Sequence, residues 1–218
     1  KLREEKAYSR HPGSLYRVFV RLGYRKKVES TKKKSKHNGH YDTPTELGIK
    51  WQMDVKYVPY VCYVGTDGEK FYQYTMLEEA SRKRFIYAYK ENSSHSTIDF
   101  VQRAIIFFGY APETIQTDHG GEFTHTQKTN RIHPFDILCN KLHITHKVLR
   151  PRTPWHNGKV ERSHRNDQER FYNHLSFYSY DDLQVQMKRY LYRSNNIPMS
   201  VLGWKTPNQK QYELENMI

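Results

Sequence analysis

Asp54, Asp118 and Glu161 are the residues of this chain whose settings point most directly to chemistry. Asp54 stands in Trp51-Gln52-Met53-Asp54-Val55, a β-branched and aromatic setting where an unpaired charge is expensive. Asp118 opens Asp118-His119-Gly120-Gly121-Glu122-Phe123, at the end of an expected strand and before a glycine turn that lets a large ligand come close. Glu161 stands in Pro154-Trp155-His156-Asn157-Gly158-Lys159-Val160-Glu161-Arg162, in the first turn of an expected helix. Carboxylates gathered in one site repel and raise each other's pKa. A divalent cation removes that cost and makes the cluster a phosphoryl-transfer site. The expectation is a metal-dependent enzyme that cuts and rejoins nucleic acid.

The chain's balance of charge agrees. Its 218 residues carry 36 Lys and Arg against 23 Asp and Glu, a formal net charge of +13. That favours a polyanionic partner, of which nucleic acid is the commonest. The two cysteines, Cys62 and Cys139, are too few for a disulfide scaffold and fit a reducing cytosol. No apolar run approaches the roughly 20 residues of a membrane span, and no signal-peptide pattern opens the chain. Because it begins at Lys1 rather than Met, the sequence reads as a fragment or a processed chain.

The elements that must position the carboxylates can be read along the chain. Ser14 to Gly23 reads as a short helix with Ser14 as its cap, an apolar stripe of Leu15, Val18, Phe19 and Leu22, and a basic tail. Residues 28–45 read as a polar linker, with Lys32, Lys33 and Lys34 attracted to phosphate. From Ile49 the pattern becomes compact. Strands are expected over Trp51–Val64, Glu69–Leu77 and Arg84–Tyr89, paired antiparallel through short connections. A helix capped by Ser96 runs to Gly109, and a short strand over Thr114–Asp118 ends at the second aspartate. A helix around Phe135–Leu142, a strand over Leu142–His146, a helix from Asn157-Gly158 to about Asn173, and another after Asp181 follow. The order implies an α/β fold, a mixed sheet of three antiparallel strands plus two shorter ones, flanked by helices. The domain reading is 1–48 basic helix and linker, 49–178 catalytic core, and 179–218 helical extension.

These residues resemble the catalytic core of the DDE transposases of bacterial insertion sequences, related to retroviral integrases. Trp51 and Asp54 match W-x-x-D. Asp118, Gly120, Glu122 and Phe123 match D-x-G-x-E-F, while Pro154, Gly158, Glu161 and Arg162 match P-x-x-x-G-x-x-E-R. The tail Leu202-Gly203-Trp204-Lys205-Thr206-Pro207 resembles the end of these transposases, and the likeness covers roughly residues 8–212. The resemblance implies an RNase H-like fold and two Mg²⁺ ions held by Asp54, Asp118 and Glu161, with Mn²⁺ as a substitute. It further implies cleavage at element ends, transfer of the 3′-hydroxyl to target DNA, and a homo-oligomer on double-stranded DNA in the bacterial cytoplasm, with the nucleoid. One departure is a longer gap between Asp118 and Glu161 than in retroviral integrases, with residues 124–136 as the extra loop. No zinc site is expected, since His37 with His40, and His143 with His146, lack a nearby cysteine pair.

Several further residues are assigned on spacing. Arg165 and Gln168, at i+4 and i+7 from Glu161, share its helix face and are expected at DNA. Lys159 and Arg162 on neighbouring faces, and Trp155 and His156 before the helix, are expected there too. Glu122 is expected to brace its turn rather than hold metal. The alternatives are an RNase H-like nuclease that never joins strands, and a domesticated DNA-binding protein.

Overall fold

The computed structural model describes residues 12–25, 43–65, 68–149 and 157–217. The chain separates into a unit from Lys1 to His40 and a unit from Tyr41 to Ile218. In the first unit, α1 (Pro12–Arg21) starts at its proline, whose missing N–H suits a first turn. Ser14 is therefore inside the helix and not its cap, and the turn after it carries Gly23 at a φ of 75°.

The second unit is built on one five-stranded sheet. Its strands are β1 (Lys50–Tyr57), β2 (Tyr72–Glu78), β3 (Arg84–Tyr89), β4 (Thr114–Thr117) and β5 (Thr145–Val148), in the order β3-β2-β1-β4-β5. The first three pair antiparallel, while β4 lies parallel to β1 and β5 parallel to β4. Three helices of this unit bear on the sheet's two faces: α2 (Ser94–Phe108), α4 (Gly158–Arg170) and α5 (Tyr180–Asn195). Two shorter ones, α3 (Pro134–Lys141) and α6 (Pro207–Glu215), complete it. This is the expected mixed sheet, an RNase H-like fold.

Where element ends differ from expectation, local chemistry explains them. The first strand stops at Tyr57 because Pro59 cannot donate into a ladder, and residues Tyr60–Cys62 form a 3₁₀ turn. Ser93, not Ser96, caps α2, its hydroxyl accepting from Ser96 N–H at 3.2 Å. Gly109 closes that helix in the left-handed conformation at φ 85°. The last strand is Thr145–Val148, shifted beyond His143, which itself takes φ 56°. The helix bearing Glu161 ends at Arg170 and passes into a 3₁₀ turn over Tyr172–His174.

Alternation along the strands decides which helix lies where. Trp51 and Met53 of β1, with Tyr74 and Met76 of β2, join Phe100, Val101, Ala104 and Phe108 of α2 in one apolar core. The second apolar cluster joins Ile86 and Ala88 of β3 to Leu183, Met187 and Leu191 of α5, with Phe71, Tyr172 and Phe177. Between these regions, the residues alternating with Trp51 and Met53 are Gln52, Asp54 and Lys56, and those alternating with Tyr74 are Gln73 and Thr75. They face α4.

Candidate active site

Of the thirteen residues of α4, only Val160 is apolar. A helix without an apolar stripe has to be held by polar contacts, and this one is. Val160, Ser163 and Asp167 are its buried positions, spaced i, i+3 and i+7 along one face. Gln52 Oε1 accepts from Val160 N–H at 3.1 Å, satisfying one of the helix's first backbone donors. Gln52 Nε2 donates to the buried Glu79 at 2.9 Å, and Glu79 also receives Lys159 and, at 3.4 Å, Lys50.

Deeper in, Asp167 is fully buried and surrounded by partners. Arg84 Nη1 lies 2.6 Å from its Oδ1, Tyr190 O–H donates to the same oxygen at 2.9 Å, and Gln73 Nε2 donates to Oδ2 at 2.8 Å. Burial alone would raise the Asp167 pKa, but Arg84 and the Gln73 hydrogen bond hold it below the ordinary carboxylate range. Tyr172 O–H donates to Gln73 Oε1. A buried ion pair is costly unless its remaining lone pairs are satisfied, and those of Asp167 are shared by Tyr190 and Gln73, while Arg84 Nε donates to Ser194 at 3.2 Å.

This network reaches the expected catalytic residue through His164. Gln73 Nε2 also donates to Thr75 Oγ1 at 2.9 Å, and the Thr75 hydroxyl meets His164 Nε2 at 2.9 Å. His164 Nδ1 then lies 3.4 Å from Asp54 Oδ2. Burial, with Lys56 and Arg84 adding to it and Asp167 opposing, holds the His164 pKa down to about 4. The ring is therefore neutral near pH 7. The tautomer that receives the Thr75 hydroxyl on Nε2 would carry its proton on Nδ1, the ring nitrogen nearer Asp54.

Asp54 takes one hydrogen bond from Val55 N–H at 2.9 Å. Its pKa is pushed up to about 7, first by burial and then by Asp118; Val55 N–H opposes this, and Glu161 and Glu122 add to it. Sheet and helix thus bring together three carboxylates that are far apart in sequence, with Glu122 beside them. Asp118 is exposed at the end of β4, its Oδ1 accepting from Gly120 N–H at 2.9 Å. Glu161 is exposed in the first turn of α4, where the helix dipole favours negative charge. The carboxylate of Glu122 folds over Gly120, 2.6 Å from where a Cβ would stand, and adds to the charge around Asp54.

Among the described residues no three His, Cys, Asp or Glu side chains converge on a point at metal-ligand distance. Two of these carboxylates, those of Asp118 and Glu161, are exposed. The donor set itself is oxygen only, the chemistry of hard divalent cations such as Mg²⁺.

Other expected residues fall as follows. Arg165 is exposed on the Glu161 face and, among the described residues, forms no ion pair with that glutamate. Gln168 receives Lys56 Nζ at 3.4 Å and donates to Asn173 at 2.9 Å. Lys159, expected at DNA, is half-buried against Glu79, and burial holds its pKa down to about 8. Arg162 is exposed on a different flank of the helix. Trp155, His156, Lys32, Lys33, Lys34, His37 and His40 lie outside the described residues. Sequence reasoning missed His164 and Asp167. His164 stands at i+3 from Glu161, a position on the same face, and the scarcity of apolar residues in α4 was the signal for Asp167.

Beside Asp118 a second array supports the end of β4. Asp136 Oδ1 lies 2.5 Å from His146 Nδ1, His146 Nε2 lies 2.9 Å from Thr117 Oγ1, and the Thr117 hydroxyl lies 2.9 Å from the Asp118 carbonyl. Phe135 packs edge-on against the His146 ring at 4.6 Å. The backbone that carries the second aspartate is therefore tied to α3 and β5.

Comparison with known proteins gives a consistent result. The family described as Integrase core domain matches residues 44–154, and a second family of the same description matches residues 142–207. The ORF3 protein of Spiroplasma virus SpV1-C74, an integrase by name, is 29% identical over 183 residues, covering 80% of this chain. The chain spans about half of that relative's length, 49%. Among solved structures, the HTLV-2 integrase catalytic core domain in complex with magnesium matches with a TM-score of 0.56 at 21% identity, over 76% of this chain and 97% of that one. The BIV integrase catalytic core matches at 0.58 and 21%, over 78% and 97%. A chain of the simian T-cell lymphotropic virus intasome, determined with the PP2A regulatory subunit B56 gamma, matches at 0.61 and 19%, over 84% and 60%. At these identities the structural likenesses speak for the fold.

Proposed function

The chain belongs to the integrase core domain family, and on that footing we propose that it is the catalytic core of a DNA transposase or integrase, cutting DNA at element ends and transferring the 3′-hydroxyl to target DNA. The observation that carries this reading is the gathering of Asp118, Glu161 and Glu122 around the partly buried Asp54, whose pKa all three raise. A protein that only bound DNA would gain nothing from negative charge facing phosphate.

Asp54, Asp118 and Glu161 would hold two divalent ions, Mg²⁺ with Mn²⁺ as a substitute. When bound, such ions make water or a 3′-hydroxyl a better nucleophile and stabilise the leaving oxygen. The protein's own part is positioning. Asp54 is the fixed carboxylate, oriented by Val55 N–H, with the His164 ring beside it. Asp118 stands on a glycine turn that leaves room for a DNA strand. Glu161 is placed by the polar suspension of α4. Arg165, exposed one turn beyond Glu161, offers a planar guanidinium to a phosphate near the scissile bond, and Gln168 follows on the same face. Arg162, Trp155, His156 and Lys32 to Lys34 extend the contact along duplex DNA. Lys159 joins them only by exchanging Glu79 for phosphate. A homo-oligomer would hold two element ends together. No helix among the described residues is long and apolar enough to cross a membrane.

The test is incubation of the protein with labelled element-end DNA, Mg²⁺ and a target plasmid. Joined product supports this function. Cut but unjoined DNA would make it a nuclease, and a mobility shift alone a binding protein.

A further inference from the structure

A cavity of about 550 Å³ lies on the flank of α4 that carries Lys159, Ser163, Asn166 and Arg170, roughly 170° round the helix from Glu161 and so on its far side. The opposite wall is formed by residues 197–201 and by Trp204, which belongs to the Leu202–Pro207 tail that resembles the end of the DDE transposases. The volume lies within the roughly 300–1,000 Å³ of clefts that take small ligands or parts of larger ones.

Its lining carries five basic side chains, Arg82, Arg84, Lys159, Arg162 and Arg170, and, among the described residues, no acidic one. Asp167 balances Arg84 and Glu79 balances Lys159 from behind the wall. Arg162 and Arg170 are exposed, two turns apart along one row of the helix, and among the described residues neither has an ion-pair partner. A cleft with this excess of positive charge attracts an anion.

Trp204 stands across from them with 66% of its surface exposed. Its backbone takes φ 69°, a conformation that costs a non-glycine residue energy. The loop that imposes it is closed on itself. Trp204 N–H donates to Met199 O at 2.9 Å, Met199 N–H to Lys205 O at 3.0 Å, and Gly203 N–H to Ser200 O at 3.1 Å. The indole is thus presented on a fixed support at the mouth of a basic cleft, with its ring free to be covered.

Building on the proposed function, we infer that this cleft takes an unpaired nucleotide of the DNA strand, its phosphates on Arg162 and Arg170 and its base stacked on Trp204. A paired base already has both faces covered by its neighbours, so only an unstacked one can use the indole. Cationic grooves that track the backbone beside an aromatic platform are how single strands are held without sequence preference.

The experiment measures binding of a short fluorescently labelled single-stranded oligothymidylate, without divalent metal, by anisotropy over a range of salt. Proteins are the full chain, Trp204→Leu, Trp204→Phe and the double variant Arg162→Ala/Arg170→Ala, each checked by thermal melting. Trp204→Leu should weaken binding about 5- to 100-fold, the effect of one stacked base, with unchanged melting, and Trp204→Phe should restore most of it. The double arginine variant should flatten the log–log salt dependence by about 0.7 for each phosphate it no longer neutralises. Wild-type affinity in Trp204→Leu, or an unchanged slope in the arginine variant, overturns the inference. Mg²⁺-dependent cutting of element-end duplex by the same wild-type preparation separates the two readings. If cutting persists while the variants bind the oligonucleotide normally, the nucleotide cleft alone is wrong. If the wild type neither cuts duplex nor binds the single strand, the proposed function falls with it.

Discussion

Two helices pack on opposite faces of the same sheet by different physics. On one face α2 presents Phe100, Val101, Ala104 and Phe108 to Trp51, Tyr74 and Ile115, with ring centroids 4.5 Å apart for Trp51 and Phe108 and 5.4 Å for Tyr74 and Phe100. On the other, α4 presents one valine and a set of hydrogen bonds. Apolar packing is non-directional and scales with buried area, whereas hydrogen bonds and ion pairs have preferred angles. A helix held by the second kind of contact has its rotation about its own axis fixed. That is what Glu161 needs, because a small turn of α4 would swing its carboxylate away from Asp54. The lesson is that polar burial here serves position rather than stability.

The largest effects should come from the two anchors. Phe100→Ala leaves a cavity under α2 and should cost about 3–5 kcal/mol in denaturant unfolding. Asp167→Ala leaves Arg84 buried and unpaired and should cost about the same. Replacing the pair together, Arg84→Met with Asp167→Leu, should recover much of the stability. Here the two helices part company. Phe100→Ala should keep its DNA cleavage per folded molecule, while the repacked pair, though stable, should lose most of it. Wild-type cleavage by the repacked pair would show that α4 needs no directional suspension.

His164→Ala should be next. Residues that orient a ligand from behind typically cost 10–100-fold in metal affinity or activity, and His164 should fall in that range with little change in melting temperature. His164→Asn, which keeps an N–H for Asp54, should recover part of the loss. Equal activity in His164→Ala would detach the polar network from Asp54.

The smallest effect concerns Asp54 in metal-free buffer. Its folded-state pKa of about 7 stands above its unfolded value of 3.8. The unfolded chain therefore gives up this proton first, and stability falls as pH rises between those values, the loss being complete above about pH 7. Asp54→Asn keeps the acceptor for Val55 N–H and removes the partly buried charge. At pH 8 it should melt a few degrees higher than wild type, at roughly 2–4 °C per kcal/mol for a chain of this size, and at pH 4 the difference should vanish. A lower melting temperature at pH 8 would mean that the charge is compensated within the folded protein.

These contrasts also explain what the sequence could and could not disclose. The apolar face of α2, the antiparallel β1-β2-β3 order and the inward Leu183, Met187, Tyr190 and Leu191 of α5 follow from periodicity, which hydrophobic burial enforces. The three carboxylates were singled out in the sequence by their motif neighbours, Trp51, Gly120 and Gly158 among them. The polar suspension was not. Gln52, Gln73, Thr75 and Glu79 look like ordinary polar residues until a partner from a distant part of the chain meets them, as His164 meets Thr75 across 89 positions. Hydrogen bonds of that kind leave no periodic trace. Lys159 shows the same limit, since its sequence context suggests phosphate and its actual partner is the distant Glu79.

The most direct measurement of the central claim is Mg²⁺-dependent cleavage of element-end DNA by Asp54→Asn, Asp118→Asn, Glu161→Gln and Glu122→Gln, each with melting and DNA binding measured alongside. Because Glu122 also lies near Asp54, it is the carboxylate that tests whether the assignment is specific. Cleavage should fall below detection in the first three variants, with fold and DNA binding retained, and should remain substantial in Glu122→Gln. Cleavage by any of the first three, or its loss in Glu122→Gln alone, would contradict the assignment of Asp54, Asp118 and Glu161 as the metal-holding set.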